Sequence, residues 1–165
     1  MTRTHFRSLL VSFSAMLALA GCGGGGLTAN GSATVTDSTS TSSGFHFPAG
    51  VRLDGGAGTI TGMCTISRTS GGGDGVVVDL YGDAQGTGHA VRSMTLMAHS
   101  TAPATGQITA DLGGDEYSGT CTIAVTGIDE GHGAVTLTTS GCALTHTTDT
   151  VHADVQLGLD GCTVI

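Results

Sequence analysis

Two histidines and an aspartate near the C-terminus have the residue types and spacing that best suggest chemistry. His146 and His152 flank the turn Thr147 to Val151, and Asp154 lies two positions past His152 on the same strand face. A three-residue loop would set the two rings opposite each other. Two imidazoles and a carboxylate on one face could bind zinc or copper. Nothing in the sequence supplies partners to orient the rings, so a solvated hairpin surface is the preferred reading, and no cofactor is assigned. Two acidic stretches, Gly113-Gly114-Asp115-Glu116 and Asp129-Glu130-Gly131-His132, read as turns. Calcium needs about six to eight converging oxygens, and neither stretch has the spacing of a calcium loop. There is no Gly-x-Ser-x-Gly elbow and no His-Glu-x-x-His. Gly24 to Gly26 lacks the strand, helix and lysine of a phosphate loop. A non-enzymatic role is therefore expected.

The elements that must position these residues are strands. Apolar residues alternate with polar ones at period two: Ile60, Gly62, Cys64 and Ile66; Val76, Val78 and Leu80; Met94, Leu96 and Ala98; Ile108, Ala110 and Leu112. The pattern continues through Tyr117, Gly119, Cys121, Ile123 and Val125, then Val135, Leu137 and Thr139, and finally Val151, Ala153, Val155, Leu157 and Leu159. Phe45 to Leu53 is an eighth candidate, interrupted by Pro48. Between Thr139 and Cys142 the inward set changes from odd to even numbers. One extra residue flips every side chain to the other face, so a bulge is expected at Ser140-Gly141. Gly62-Met63-Cys64-Thr65-Ile66 and Gly119-Thr120-Cys121-Thr122-Ile123 match, and each opens a three-strand run. Two meanders are expected. The fold class is all-β: an antiparallel sandwich or flattened barrel of seven to eight strands.

The N-terminus has its own logic. Arg3 and Arg7 precede an apolar run, Ser8 to Ala20, that is too short to span a bilayer as a mature helix. Leu19-Ala20-Gly21-Cys22 resembles the lipobox of bacterial lipoproteins. That resemblance implies removal of residues 1–21, a diacylglycerol on Cys22, and residence in the cell envelope. Gly23, rather than an aspartate, follows the cysteine, which by the same resemblance favours the outer membrane. Residues 22–44 are rich in Gly, Ser and Thr and read as a lipid anchor and flexible tether. Residues 45–165 remain for one β domain.

With Cys22 acylated, four cysteines are left: Cys64, Cys121, Cys142 and Cys162. No C-x-x-C pair exists, and an even number in an exported domain points to two disulfides. Three pairings are possible. In an up-and-down meander Cys142 lies level with Cys121, while Cys162 falls near the end that Cys64 can reach. This favours Cys121–Cys142 and Cys64–Cys162.

The formal charge of the whole chain is −8. Beyond the leader only Arg52, Arg68 and Arg92 oppose thirteen acids, and lysine is absent. This excludes nucleic acid as a partner.

Cys64 in its Gly-x-Cys-Thr-Ile strand, Val91-Arg92-Ser93-Met94, Gly106-Gln107 and a late cysteine after a strand are together similar to the mycobacterial nineteen-kilodalton lipoprotein antigen family, from Gly58 to Cys142. The chain departs from that family in two extra cysteines and a C-terminal strand. The resemblance implies a surface-displayed, non-enzymatic protein. The expected function is that of a lipid-anchored envelope protein, structural or interacting with an envelope or host protein. The alternative is a carrier that holds a small apolar ligand inside the β domain.

Overall fold

A computed structural model describes residues 26–53, 60–68, 73–82, 85–86, 90–101 and 104–165. The expected leader, residues 1–21, and the expected lipidation residue Cys22 lie outside the described residues. Among those described, no helix forms. The strands are β1 (Thr28–Thr36), β2 (Ser42–Arg52), β3 (Thr61–Ser67), β4 (Gly75–Tyr81), β5 (Gln85–Gly86), β6 (Val91–His99), β7 (Thr105–Leu112), β8 (Asp115–Thr122), β9 (Ala124–Asp129), β10 (Ala134–His146), β11 (Asp149–Asp160) and β12 (Thr163–Val164).

They form one curled sheet in the order β12-β3-β4-β6-β7-β8-β10-β11-β1-β2-β5, with β9 also on β10. The all-β class and the alternation hold. Val76, Val78 and Leu80, Met94 and Leu96, and all five odd positions from Val151 to Leu159 are buried. The two expected meanders are neighbours in the sheet as β3-β4-β6 and β8-β10-β11.

Strand number and sheet type differ from the expectation. β5 and β12 are two-residue strands, and the other ten exceed the seven to eight expected. The sheet is mixed, because β12 runs parallel to β3. The run from Tyr117 to Val125 is divided at Ile123, whose N–H bonds the Ala104 carbonyl at 2.9 Å, one step beyond the last β7–β8 ladder pair. The largest correction concerns the expected tether. Residues 28–36 form β1, an interior strand between β11 and β2, and Ser42 to Gly44 begin β2. The inward residues of β1, Ala29, Ala33 and Val35, are small and carry a weak apolar signal, yet all three are buried. Gly31 explains the Asn-Gly step inside this strand. Its φ is 96°, and a Cβ there would come within 1.9 Å of the Gln156 carbonyl oxygen. Only glycine fits that approach. Pro48 is accommodated by a register shift against β1, at a place where a strand can lose an N–H.

Three devices close the curl. Leu53 donates its N–H to Leu27 at 2.8 Å, and its carbonyl accepts the N–H of Gly62 at 3.0 Å, joining the end of β2 to the start of β3. Ser43, a buried polar residue, accepts the Val91 N–H at 3.2 Å. The C-terminus is the third. Gly161 and Cys162 donate to the carbonyls of His132 and Gly133, after which β12 lies along β3 and Ile165 exchanges hydrogen bonds with Ile66 and Arg68. An exposed ion pair, Arg68–Glu130, joins the same two regions and adds little by itself.

One disulfide fixes this closure and the other joins the sheet neighbours β8 and β10. Cys64 pairs with Cys162 at a Cα separation of 4.7 Å, and Cys121 with Cys142 at 5.7 Å. The first closes a sequence separation of 98 residues and the second one of 21. Chain entropy assigns roughly 4–5 kcal/mol to a loop of the first length and roughly 3 kcal/mol to the second. The double variant Cys64→Ser/Cys162→Ser is therefore expected to unfold at lower urea than Cys121→Ser/Cys142→Ser. Equilibrium urea denaturation of the two checks this, and the opposite order would refute the loop-length account.

Candidate functional site

The junction of β8 with β10 organises the polar chemistry of the domain. These strands share a single ladder pair, Thr145 with Ser118. Side chains of β10 make up the difference. Thr139 Oγ1 donates to the Thr122 carbonyl at 2.8 Å, Thr145 Oγ1 to Ser118 at 3.5 Å, and His146 Nδ1 bonds the Glu116 carbonyl at 2.8 Å. A carbonyl can only accept, so Nδ1 of His146 carries the proton. The Cys121–Cys142 bridge crosses the same seam. Gly119 lets the strands meet, because a Cβ there would lie 2.1 Å from the Ala143 oxygen.

His146 therefore has a structural partner. Its ring also packs on Tyr117, with centroids 5.4 Å apart. Tyr117 is buried, and its hydroxyl donates to Asp149 Oδ2 at 2.7 Å. That bond, then burial, then the negative charge of Asp149 push the phenol up from 10.0 to about 12.

The proposed metal set does not assemble. His146 pairs with Asp149 across a two-residue turn, and His152 faces Ala143. The loop is shorter than the three residues expected, and Thr147 takes a left-handed φ of 53° to make it. The bulge at Ser140-Gly141 is present, because the β10–β11 register shifts between Thr139 and Cys142. It turns the even positions Cys142 and Leu144 inward. His146 shares their parity, whereas His152 and Asp154 alternate with buried Val151, Ala153 and Val155 and so point outward. Two imidazoles on opposite faces of a sheet cannot hold one ion. Asp154 has another task. Its Oδ1 accepts the Gly141 N–H and the Ser140 hydroxyl, both at 2.9 Å, and so fixes the bulge. Among the described residues, no group of three or more His, Cys, Asp or Glu is placed to hold a metal ion.

Of the two acidic turns, Asp129 and His132 form an exposed pair at 2.8 Å. The hydrogen bond lowers the carboxyl and raises the imidazole from their ordinary values.

The remaining feature was not visible as a motif. Two adjoining grooves lie on the outer face of β1, β10 and β11. One, of about 470 Å³, is lined by Ser32, Thr138, Thr139, Ser140, Asp154, Val155 and Gln156. The other, of about 510 Å³, runs past Asn30, Gly127, Thr136, Gly158 and Asp160 and shares Gln156. The register explains the trough. Ser32, Gln156 and Thr138 stand in one cross-strand row, and Asn30, Gly158 and Thr136 in the next. Gly158 has no side chain to fill the floor, and a Cβ there would come 2.6 Å from Asn30 Oδ1. Hydroxyls and amides share the lining with Ala134, Val135, Val155, Leu157 and Leu159; carboxylates are present, but neither a cation nor an aromatic ring. Such a surface can exchange hydrogen bonds with neutral polar groups and repels anions. Each row is built from residues far apart in sequence, so no local motif announces it.

The chain matches no protein-family model, no curated protein and no solved structure. Any reading of the site therefore rests on its own chemistry.

Two expectations follow. Raising pH ionises tyrosine, and a folded value above the unfolded 10.0 means that the Tyr117–Asp149 contribution is complete below pH 10 and is lost as pH rises through about 12. Asp149→Asn should shift the late tyrosinate absorbance transition back toward the ordinary value; an unchanged titration would refute the pairing. Asp154→Ala should cost about 1 kcal/mol through the lost bulge bonds, and His152→Ala less than about 0.5 kcal/mol as an ordinary surface change. Urea midpoints of the two variants provide the comparison.

Proposed function

We propose that the chain is a lipid-anchored bacterial envelope protein, acylated on Cys22, that acts through its outer surface as a structural or interacting component. The sequence Leu19-Ala20-Gly21-Cys22 carries the anchoring half of this reading. The polar trough on the outer face of β1, β10 and β11 supports the interaction half. It offers hydrogen-bonding groups to an envelope or host partner on an accessible surface. Two disulfides suit an oxidising compartment outside the cytoplasm. The outer membrane is the favoured address.

An internal apolar carrier is the lesser reading. Fully buried Phe45, Leu80, Leu96, Ile108, Leu137 and Leu157 occupy the inside of the curl. Both described grooves lie outside it.

Cys22→Ala tests the anchor. The wild-type protein should sediment with membranes from lysed cells and carry a diacylglyceryl group on Cys22 by mass spectrometry. The variant should appear in the soluble fraction. Equal partitioning, or an unmodified cysteine at position 22, would overturn the proposal.

A further inference from the structure

The start of β1 limits how the domain can sit on a membrane. Leu27 is already part of the fold: its side chain is buried and its carbonyl accepts the Leu53 N–H at 2.8 Å. Only five peptide steps separate it from Cys22. At full extension they reach about 18 Å. β1 then runs from Thr28 to Thr36, about 26 Å at strand rise. The leash is shorter than the strand it leads into.

The register defines two poles. Thr28 pairs with Arg52 and with Asp160, and Asp129 pairs with Ala134 at the same end of β10. Glu130 and His132 sit in the turn beside it. The opposite pole carries three turns: Asp37 to Thr41, Gly113-Gly114, and Thr147-Thr148. Charge separates the poles further. The far pole holds Asp37, Asp111, Asp115, Glu116 and Asp149, with Arg92 beside Gly114. At the near pole Asp129, Glu130 and Asp160 are opposed by Arg52 and Arg68, and His132 hydrogen-bonds Asp129. Anionic headgroups repel the more acidic end.

We infer that the pole made by Thr28, Arg52, Asp129 to His132 and Asp160 faces the lipid surface, and that the three turns of the far pole point away from it. The inference rests on acylation of Cys22. The anchor then holds the domain against the bilayer by a specific end. The Tyr117–Asp149–His146 cluster is displayed outward, and the half of the trough near Asn30 and Asp160 lies close to the headgroups.

The chain contains no tryptophan, so single tryptophans report position cleanly. Full-length acylated protein carrying Asp160→Trp, His132→Trp or Thr148→Trp would be reconstituted into vesicles of phosphatidylcholine and phosphatidylglycerol. A fraction of the lipids would bear a headgroup nitroxide. His132 is 79% exposed and serves as a second near-pole site should Asp160→Trp disturb the strand end. Near-pole tryptophans should be quenched roughly two-fold or more over Thr148→Trp, given the separation of about 26 Å. Equal or reversed quenching with lipid present on Cys22 would overturn the orientation alone. Absence of the diacylglyceryl group by mass spectrometry would overturn the anchoring and the orientation together.

Discussion

The seam between β8 and β10 is the constraint on which the rest of the sheet depends. β12, β3, β4, β6, β7 and β8 lie on one side of it, and β10, β11, β1, β2 and β5 lie on the other. A single ladder pair spans it. The backbone groups there, largely exposed, find partners in side chains or water where the ladder lapses. Thr139, Thr145 and His146 meet part of that demand from their side chains, and the Cys121–Cys142 bridge fixes the spacing. Gly119 sets how close the strands come. A residue that looked like a metal ligand is thus part of a joint.

The seam also explains why the bulge sits where it does. On its seam side β10 serves β8 near its C-terminal end and β9 near its start. Its other edge pairs with β11 on both sides of the register shift between Thr139 and Cys142. One extra residue at Ser140-Gly141 reconciles the two edges and bends the strand. Gly141, at a φ of 61°, takes the left-handed conformation that the bend requires, and Asp154 reaches across from β11 to hold it. The same bend helps curl the sheet, so that the C-terminal segment can cross back to β3 and be fixed there by Cys64–Cys162. Gly133 permits the crossing, since a Cβ would meet the Cys162 oxygen at 2.2 Å.

A sheet closed in this way separates its two faces by function. The inner face takes the long apolar side chains. The outer face keeps threonine, serine, asparagine and glutamine in cross-strand rows, and glycines lower the floor between them. Along β1, β10 and β11 the grooves on that face carry carboxylates but no cation, while Met63 and Met97 are exposed on the outer face of β3 and β6. Residues 28–36, whose composition reads as a tether, instead form an interior strand of the sheet.

Much of this was legible in the sequence. The inward and outward sets of β3, β4, β6, β7 and β11 follow from parity alone, because side chains alternate faces with a strict period of two. The parity slip at Thr139 to Cys142 located the bulge, and meander geometry pointed to the cysteine pairs found. β1 escaped because Ala29, Ala33 and Val35 bury too little area to announce a strand; they are covered only because β11 and β2 arrive from distant parts of the chain. His146 and His152 looked like partners because a three-residue loop would set them opposite each other; the two-residue turn instead pairs His146 with Asp149 and His152 with Ala143, which puts the rings on opposite faces. The sequence by itself determined which side chains point inward, since that depends on local backbone geometry. Only the tertiary structure decided which strands lie side by side, how the curl closes and where the trough forms, because those contacts join residues that no local pattern relates.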